Sequence, residues 1–287
     1  MKFTKLQGCG NDYVYIDCVE NSMMDGTELA KKVSDRHFGV GSDGLILIKS
    51  SNKADFYMDM YNADGSKSGM CGNGIRCVAK YVYDYGLTDK TSISIETGAG
   101  IKYLDLKLDY ETSLLGEKSK EKKVVEVTVN MGSPITKPEL IPVISSMDVV
   151  KNMPILVGNK TYNITCVSMG NPHAIVYVDD TKAIDIEKIG PLFENHEIFP
   201  ERTNTEFIHV IDRNTIDMRV WERGSGETLA CGTGACASVY ACIMNELTDD
   251  EVTVKLLGGE LRVCYDRQKD TIFMTGAAKV VFEGEIL

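Results

Sequence analysis

The sequence is short of positive charge. Over 287 residues, 31 lysines and arginines stand against 42 acidic residues, a formal charge of −11. That leaves no electrostatic footprint for nucleic acid or an anionic membrane, and neither is expected as a partner. An anionic small substrate remains open, because a few local cations or helix N-termini hold one. No apolar run approaches the ~18 residues of a membrane span. The opening MKFTKLQGCGND lacks the apolar h-region of a secretory signal, so a cytoplasmic protein is expected. None of the nine cysteines forms a CxxC pair, which weakens zinc-ribbon and thioredoxin-type readings. In a reducing compartment they read as thiols, not as a disulfide scaffold. No lysine stands out as a Schiff-base anchor for pyridoxal phosphate. One formal G-x-G-x-x-G exists, at Gly39, Gly41 and Gly44. A helix over Thr27–His37 is expected before it and the strand LILIK after it, the reverse of a dinucleotide-binding context.

What is present is ordinary in bulk: 43% hydrophobic and 25% charged residues, close to globular averages. The length suits one large domain or two modest ones and buries a core without metal or disulfide staples. The sequence is organised by a repeat. Cys71-Gly72-Asn73-Gly74 recurs 160 residues later as Cys231-Gly232-Thr233-Gly234. The same offset carries Gly10-Asn11 onto Gly170-Asn171, Met58 onto Met218 and Tyr61 onto Trp221. Several matches at one offset indicate two copies of one domain. The polar, charged stretch Tyr110–Lys123 is expected as the loop or linker between them, with boundaries at 1–117 and 118–276. A final strand at Lys279–Phe282, within 277–287, is left over to return to the first domain.

Strand-like runs include Tyr13–Asp17, Leu45–Lys49, Phe56–Tyr61, Ser92–Glu96, Val124–Asn130, Ile164–Val167, Ala174–Val178, Thr205–Val210, Ile216–Trp221, Val252–Leu256 and Leu261–Tyr265. Helical spacing follows each cysteine motif: Ile75, Val78, Ala79, Val82, Tyr83, and Ala235, Ser238, Val239, Cys242. The expected class is α/β or mixed α+β, with two pseudo-symmetric domains. In each, a mostly antiparallel or mixed sheet wraps a central helix whose N-terminus carries C-G-x-G.

That placement has chemical consequences. Glycines at Gly72, Gly74, Gly232 and Gly234 let backbone approach a ligand. The first N–H groups of a helix have no intrahelical partner and favour an anion. The same field stabilises a thiolate and is expected to lower the cysteine pKa from about 8.5 toward neutrality. A thiolate and a thiol on opposite faces of an amino-acid Cα would remove a proton from one side and deliver one to the other, while helix N–H groups hold the carboxylate. Cys71 and Cys231 are thus the candidate acid/base pair. Asn11, Asn62, Asn171 and Asn204 sit in turn-like settings, where asparagine is commonly a turn former. As a set they offer amides for carboxylate and ammonium groups. In WERGSGETLACGTG, Arg223 beside Glu222 suits a bidentate clamp on a second carboxylate, or else an exposed ion pair. His173, in GNPH, is a candidate proton relay or a structural histidine. His37, His196 and His209 belong to no comparable motif.

At GCGNDYVYID, RHFGVGSDGLIL, YNADGSKSGMCGNGIRC, GNPHAIVYV, RTNTEFIHV, WERGSGETLACGTGACAS and MTGAAKVVFEGEI, the chain resembles the diaminopimelate epimerase family. These are cofactor-independent amino-acid epimerases of lysine and cell-wall biosynthesis. The resemblance implies interconversion of LL- and meso-2,6-diaminopimelate in an active site between two α/β domains. It makes Cys71 the proton donor and Cys231 the acceptor for the LL isomer. Gly72, Asn73, Gly232 and Thr233 would hold the reacting carboxylate. Asn11, Asn62, Asn171, Asn204, Glu222 and Arg223 would recognise the substrate, and His173 and Glu222 would adjust the cysteine pKa values. It implies a cytoplasmic homodimer without metal or pyridoxal phosphate. Phe282 stands where many members have tyrosine, in a segment linked to dimer contacts. Two rival readings are a two-cysteine proline or hydroxyproline racemase, and a thiol-based redox or metal-binding protein.

Overall fold

A computed structural model of the chain describes residues 1–21, 24–112 and 116–287. They divide into two compact units, Met1–Asn130 with Thr275–Leu287, and Met131–Met274.

In the first unit, β1 (Lys2–Gly8) and β2 (Asn11–Asp17) form an antiparallel hairpin. Its turn places Cys9 and Gly10 at φ 53° and 81°. After α1 (Thr27–Ser34), β3 (Gly44–Lys49) lies parallel to β2, and β4 (Phe56–Asn62) runs antiparallel to β3. The short β5 (Lys67–Ser68) leads into α2 (Gly72–Asp84). β6 (Ser92–Thr97), parallel to β4, begins the antiparallel run through β7 (Gly100–Thr112) and β8 (Lys118–Gly132). Helix α2 packs against β1, β2 and β7. Strand β3 is buried at every position because it has a helix on each face. Leu45 and Leu47 join Ala30 and Val33 of α1 in one cluster, and Ile46 faces the start of α2, beside Gly74. Helix α1 stops at Ser34, short of the expected His37, because Asp35 Oδ1 captures the His37 and Phe38 N–H groups at 2.7 and 2.8 Å.

The second unit repeats this order. Strands β9 (Met153–Val157), β10 (Lys160–Ser168) and β11 (Pro172–Tyr177) precede α3 (Ile186–Glu194). Then come β12 (Asn204–Asp212), β13 (Thr215–Glu222), β14 (Gly226–Thr228), α4 (Gly232–Met244), β15 (Glu251–Leu256), β16 (Gly259–Asp266) and β17 (Thr271–Gly276). The sequence offset maps α2 onto α4 residue for residue. It also carries the parallel pair Tyr13–Gly44 onto His173–Asn204. Helix α4 packs against β10, β11, β12, β15 and β16 and is buried on nearly every face, which its alanine- and cysteine-rich sequence permits. The last strand, β18 (Lys279–Glu285), pairs antiparallel with β1. β9 occupies the same flank of β10.

One sequence expectation is corrected. Tyr110–Lys123 is no linker: its described residues form the outer end of the β7–β8 hairpin, with Tyr110 opposite Lys122 and Thr112 opposite Lys118. Residues 113–115 of that stretch lie outside the described residues. The hairpin end is almost wholly solvent-facing, so no burial periodicity marks its strands. An ion cluster ties its base to α2: Lys80, fully buried, reaches Asp84 at 2.8 Å, Glu111 at 3.0 Å and the Val124 carbonyl at 2.8 Å. Removing one member of a buried pair strands the other's charge, a loss of about 3–5 kcal/mol. Lys80→Met is therefore expected to lower the unfolding free energy from urea titration by an amount in that range, and the midpoint with it. An unchanged midpoint would show that the cluster does not hold the hairpin.

Candidate active site

Each cysteine of the repeat is the N-cap of its helix. Cys71 (φ −134°, ψ 119°) and Cys231 (φ −121°, ψ 112°) have extended backbones, and each sulfur accepts the N–H three residues on, from Gly74 at 3.3 Å and Gly234 at 3.4 Å. A side chain would be crowded at both places. A Cβ on Gly74 would lie 2.9 Å from Ile46 Cδ1, and one on Gly234 2.5 Å from Glu206 Oε1.

Around Cys71 the partners are neutral amides. Its thiol donates to Asn11 Oδ1 at 3.2 Å. The Asn11 amide is oriented from behind, since its Nδ2 donates to Asp43 Oδ2 at 2.8 Å, and Asp43 is paired with Arg36 at 2.9 Å. The sulfur thus has an acceptor for its thiol form and a backbone donor for its thiolate form. Arg76, fully buried, donates at 3.0 Å to both the Gly72 carbonyl and Asn73 Oδ1. The Asn73 side chain is thereby turned into the protein, in keeping with a role for its backbone alone. Asn62 Nδ2 donates to Ser66 Oγ at 3.0 Å across the β4–β5 turn, the turn-forming use of asparagine.

Around Cys231 the environment is charged. Thr233 Oγ1 lies 3.5 Å from the sulfur. Glu222 lies near enough for its charge to act on the Cys231 sulfur, and it accepts from Thr228 Oγ1 at 2.5 Å. His173, 0% exposed, has Nδ1 2.7 Å from Glu206 Oε1 and Nε2 3.0 Å from Asn171 Oδ1. Asn171 Nδ2 in turn donates to Thr233 Oγ1 at 3.2 Å. Asn204 acts as a bracket, donating to the Pro172 carbonyl at 2.8 Å and accepting the Arg223 N–H at 2.9 Å. The Arg223 guanidinium donates to the Glu201 carbonyl at 2.9 Å. Among the described residues it has no carboxylate partner, so the expected exposed ion pair is not formed.

The expected lowering of the cysteine pKa does not hold at Cys231. Burial pushes its thiol well above the usual cysteine range, and the charges of Glu222 and Glu206 add to this. The Thr233 and Gly234 hydrogen bonds oppose the rise without reversing it. Burial likewise raises the Glu222 carboxyl, against the Thr228 hydrogen bond and the nearby His173. Cys231 therefore keeps its proton at neutral pH.

Two site-shaping residues are not singled out by the sequence pattern. Glu194, on α3, accepts Trp221 Nε1 at 2.7 Å and the Gly224 N–H at 2.9 Å, holding the WERG turn. Glu206 is fully buried, and among the described residues its Oε2 has no hydrogen-bond partner. Only its place at the Ile46 position of the repeat, a carboxylate where the first copy has an isoleucine, marks it in sequence. His173, Glu206 and Cys231 have ligand atoms within 4.8 Å of one another, a donor set of the kinds zinc takes. As it stands the arrangement is a hydrogen-bonded pair beside a thiol. Two ligands of one tetrahedral zinc, with bonds near ~2.0–2.1 Å, sit ~3.3 Å apart, farther than the 2.7 Å from Nδ1 to Oε1.

The architecture, a mixed sheet around a capped helix repeated twice, is that of a known class of folds. A phenazine-biosynthesis PhzF-family protein of Enterococcus faecalis superposes with a TM-score of 0.70 at 11% identity, covering 100% of this chain and 98% of that one. A hydroxyproline epimerase from Agrobacterium vitis superposes at 0.69 and 12%, covering 100% and 90%. The sequence narrows this class. The diaminopimelate epimerase model matches residues 3–136 and 165–281, and the chain belongs to that family. It is 57% identical to the diaminopimelate epimerase of Agathobacter rectalis, over 100% of this chain and 99% of that protein. It is 53% identical to that of Methanococcus maripaludis, over the same shares.

The contrast between the sulfurs is testable by alkylation. Cys231 is 5% exposed and keeps its proton, whereas Cys71 is half-buried. Because only the thiolate reacts and the Cys231 pKa is raised, its alkylation should gain rate only on the alkaline side of an ordinary cysteine. With limiting iodoacetamide at pH 7, peptide mass spectrometry should find Cys71 modified ahead of Cys231. The reverse order would contradict the assignment.

Proposed function

We propose that this protein interconverts LL- and meso-2,6-diaminopimelate, with Cys71 and Cys231 as the two acid/base groups. The carrying observation is that both repeats spend the N-cap of a buried helix on a cysteine and the third helical position on glycine. Inverting Cα requires a base on one face and an acid on the other. One sulfur, as thiolate, takes the Cα proton. The electron pair left behind delocalises into the substrate carboxylate, which the N–H groups at Gly72–Asn73 and Gly232–Thr233 stabilise. The other sulfur, as thiol, gives its proton to the opposite face. Nothing is consumed, and the two sulfurs end the turnover with their protonation states exchanged. With Cys231 protonated at rest, its acceptor role toward the LL isomer belongs to the form in which Cys71 carries the proton instead.

No cofactor enters this scheme. Arg223, without a carboxylate of its own, is the group we assign to the distal carboxylate. Asn204 and Asn171 then position their neighbours as much as they bind. The reading extends to a cytoplasmic homodimer, with Val280, Val281 and Phe282 of β18 exposed as an apolar strand for the dimer contact.

The test is chiral chromatography of LL-diaminopimelate incubated with reduced, purified protein. Appearance of the meso isomer is expected. Its loss by at least ~100-fold in Cys71→Ser and in Cys231→Ser, with folding retained, is expected from removal of an acid/base group. Arg223→Met should raise KM more than it lowers kcat. Turnover of proline or hydroxyproline in place of diaminopimelate would move the assignment to a monocarboxylate racemase.

A further inference from the structure

We propose that Glu206 is a positioning residue for Cys231: through His173 and Asn171 it fixes the direction of a hydrogen-bond relay that ends with the Thr233 hydroxyl donating to the Cys231 sulfur. This rests on the acid/base assignment above and adds to it a residue that the sequence alone does not single out.

The relay runs through four contacts. Glu206 Oε1 lies 2.7 Å from His173 Nδ1, and His173 Nε2 3.0 Å from Asn171 Oδ1. Asn171 Nδ2 is 3.2 Å from Thr233 Oγ1, and Thr233 Oγ1 3.5 Å from Cys231 Sγ. The placed amide sets the direction. Asn171 gives Nδ2 to Thr233 and presents Oδ1 to His173 Nε2, so the relay needs a proton on Nε2. A second proton lies in the 2.7 Å contact between Nδ1 and Glu206 Oε1, so the Glu206–His173 pair holds two protons in all, one of them shared. With its oxygen accepting from Nδ2, the Thr233 hydroxyl points its own proton at the sulfur, where it stabilises the thiolate stage of each turnover. Another charged neighbour of the sulfur is Glu222 on β13; it acts on the thiol through its charge and takes no part in the relay.

Two further observations favour a working role over a structural one. Glu206 is fully buried with Oε2 unpartnered, a cost that native interiors seldom carry without function. The repeat also supplies its own control. At the positions matching His173 and Glu206 the first unit has Tyr13 and Ile46, and Cys71 meets its asparagine directly. The relay exists only where the sulfur is buried among acids and its thiolate needs a donor.

The amide of Glu206→Gln can donate to Nδ1, which leaves the Nε2 proton and the relay direction in place. Glu206→Leu offers Nδ1 nothing and lets the tautomer reverse. In a Ser–His–Asp triad the carboxylate-to-amide change is ruinous because it enforces the Nε2–H tautomer, whereas here that tautomer is the required one. The experiment is long-range 1H–15N correlation NMR of His173 in the full-length protein, alongside steady-state kinetics. Wild type and Glu206→Gln should show a protonated Nε2, and Glu206→Leu a mixed or reversed tautomer. Leu should lower kcat by at least ~10-fold, as loss of an orienting partner does, with KM nearly unchanged, and Gln should lose far less. Thr233→Val should match the Leu variant, and the double variant should lose no more than either alone. Equal loss in Gln and Leu, or a Leu variant with wild-type kcat, would overturn the proposal. If Leu fails to fold, the Gln spectrum and the Thr233→Val kinetics still decide it. The NMR readout needs no turnover, so a relay seen without diaminopimelate epimerisation would count against the reaction and not against Glu206.

Discussion

The proposed chemistry depends on a cysteine standing where a buried helix begins. Serine, threonine, aspartate and asparagine cap helices better, and a sulfur 3.3–3.4 Å from the capping N–H is a weak substitute. The fold accommodates that weakness by packing the helix on several strands, so burial and not the cap secures it. Freed from the need to stabilise, the cap position holds a group whose chemistry allows it to gain and lose a proton at the start of a helix. Glycine three residues on completes the arrangement, because a side chain there would press on Ile46 or Glu206 of the strand beneath.

Much of this was legible before any coordinates, and the reason is the repeat. Cys71 and Cys231, with glycines at fixed spacing and one shared offset, can only be matched helix starts, and α2 and α4 bear this out to the residue. The strands with apolar alternation were equally readable. Less readable was anything set by tertiary contact. The Tyr110–Lys123 segment looks like a linker because its hairpin faces water, and nothing local reveals that Lys80 anchors its base. The protonation of Cys231 was misjudged because the field at a helix start can be inferred from sequence, while burial and two converging glutamates cannot. Glu206 lay inside a strand pattern, and nothing in RTNTEFIHV set it apart from its neighbours. Asn62, Asn73 and Asn204 were visible as candidates, but only the structure shows their side chains bonded to Ser66, Arg76 and the Arg223 backbone.

The two copies have diverged where it matters. One sulfur sits among amides with an acceptor already in place. The other is deeply buried between carboxylates, with an imidazole beneath the helix start. Duplication supplies two acids of the same kind, and substitution at His173, Glu206 and Glu222 makes them unequal. An epimerase acting at one end of a nearly symmetric diamino diacid faces the same demand, since its two half-reactions remove the proton from opposite faces.

The central claim, that two different sulfurs handle the proton on the two faces, is tested most directly by following deuterium. LL-diaminopimelate would be incubated in D2O and the label located at early conversion, before the product re-enters the reaction. With two bases, the new meso product carries solvent deuterium at the inverted carbon, because its proton came from the solvent-equilibrated thiol, and the remaining LL substrate stays protiated. Substrate-derived protium retained in the meso product, or deuterium entering LL substrate as fast as product forms, would mean that a single group serves both faces and would contradict the account.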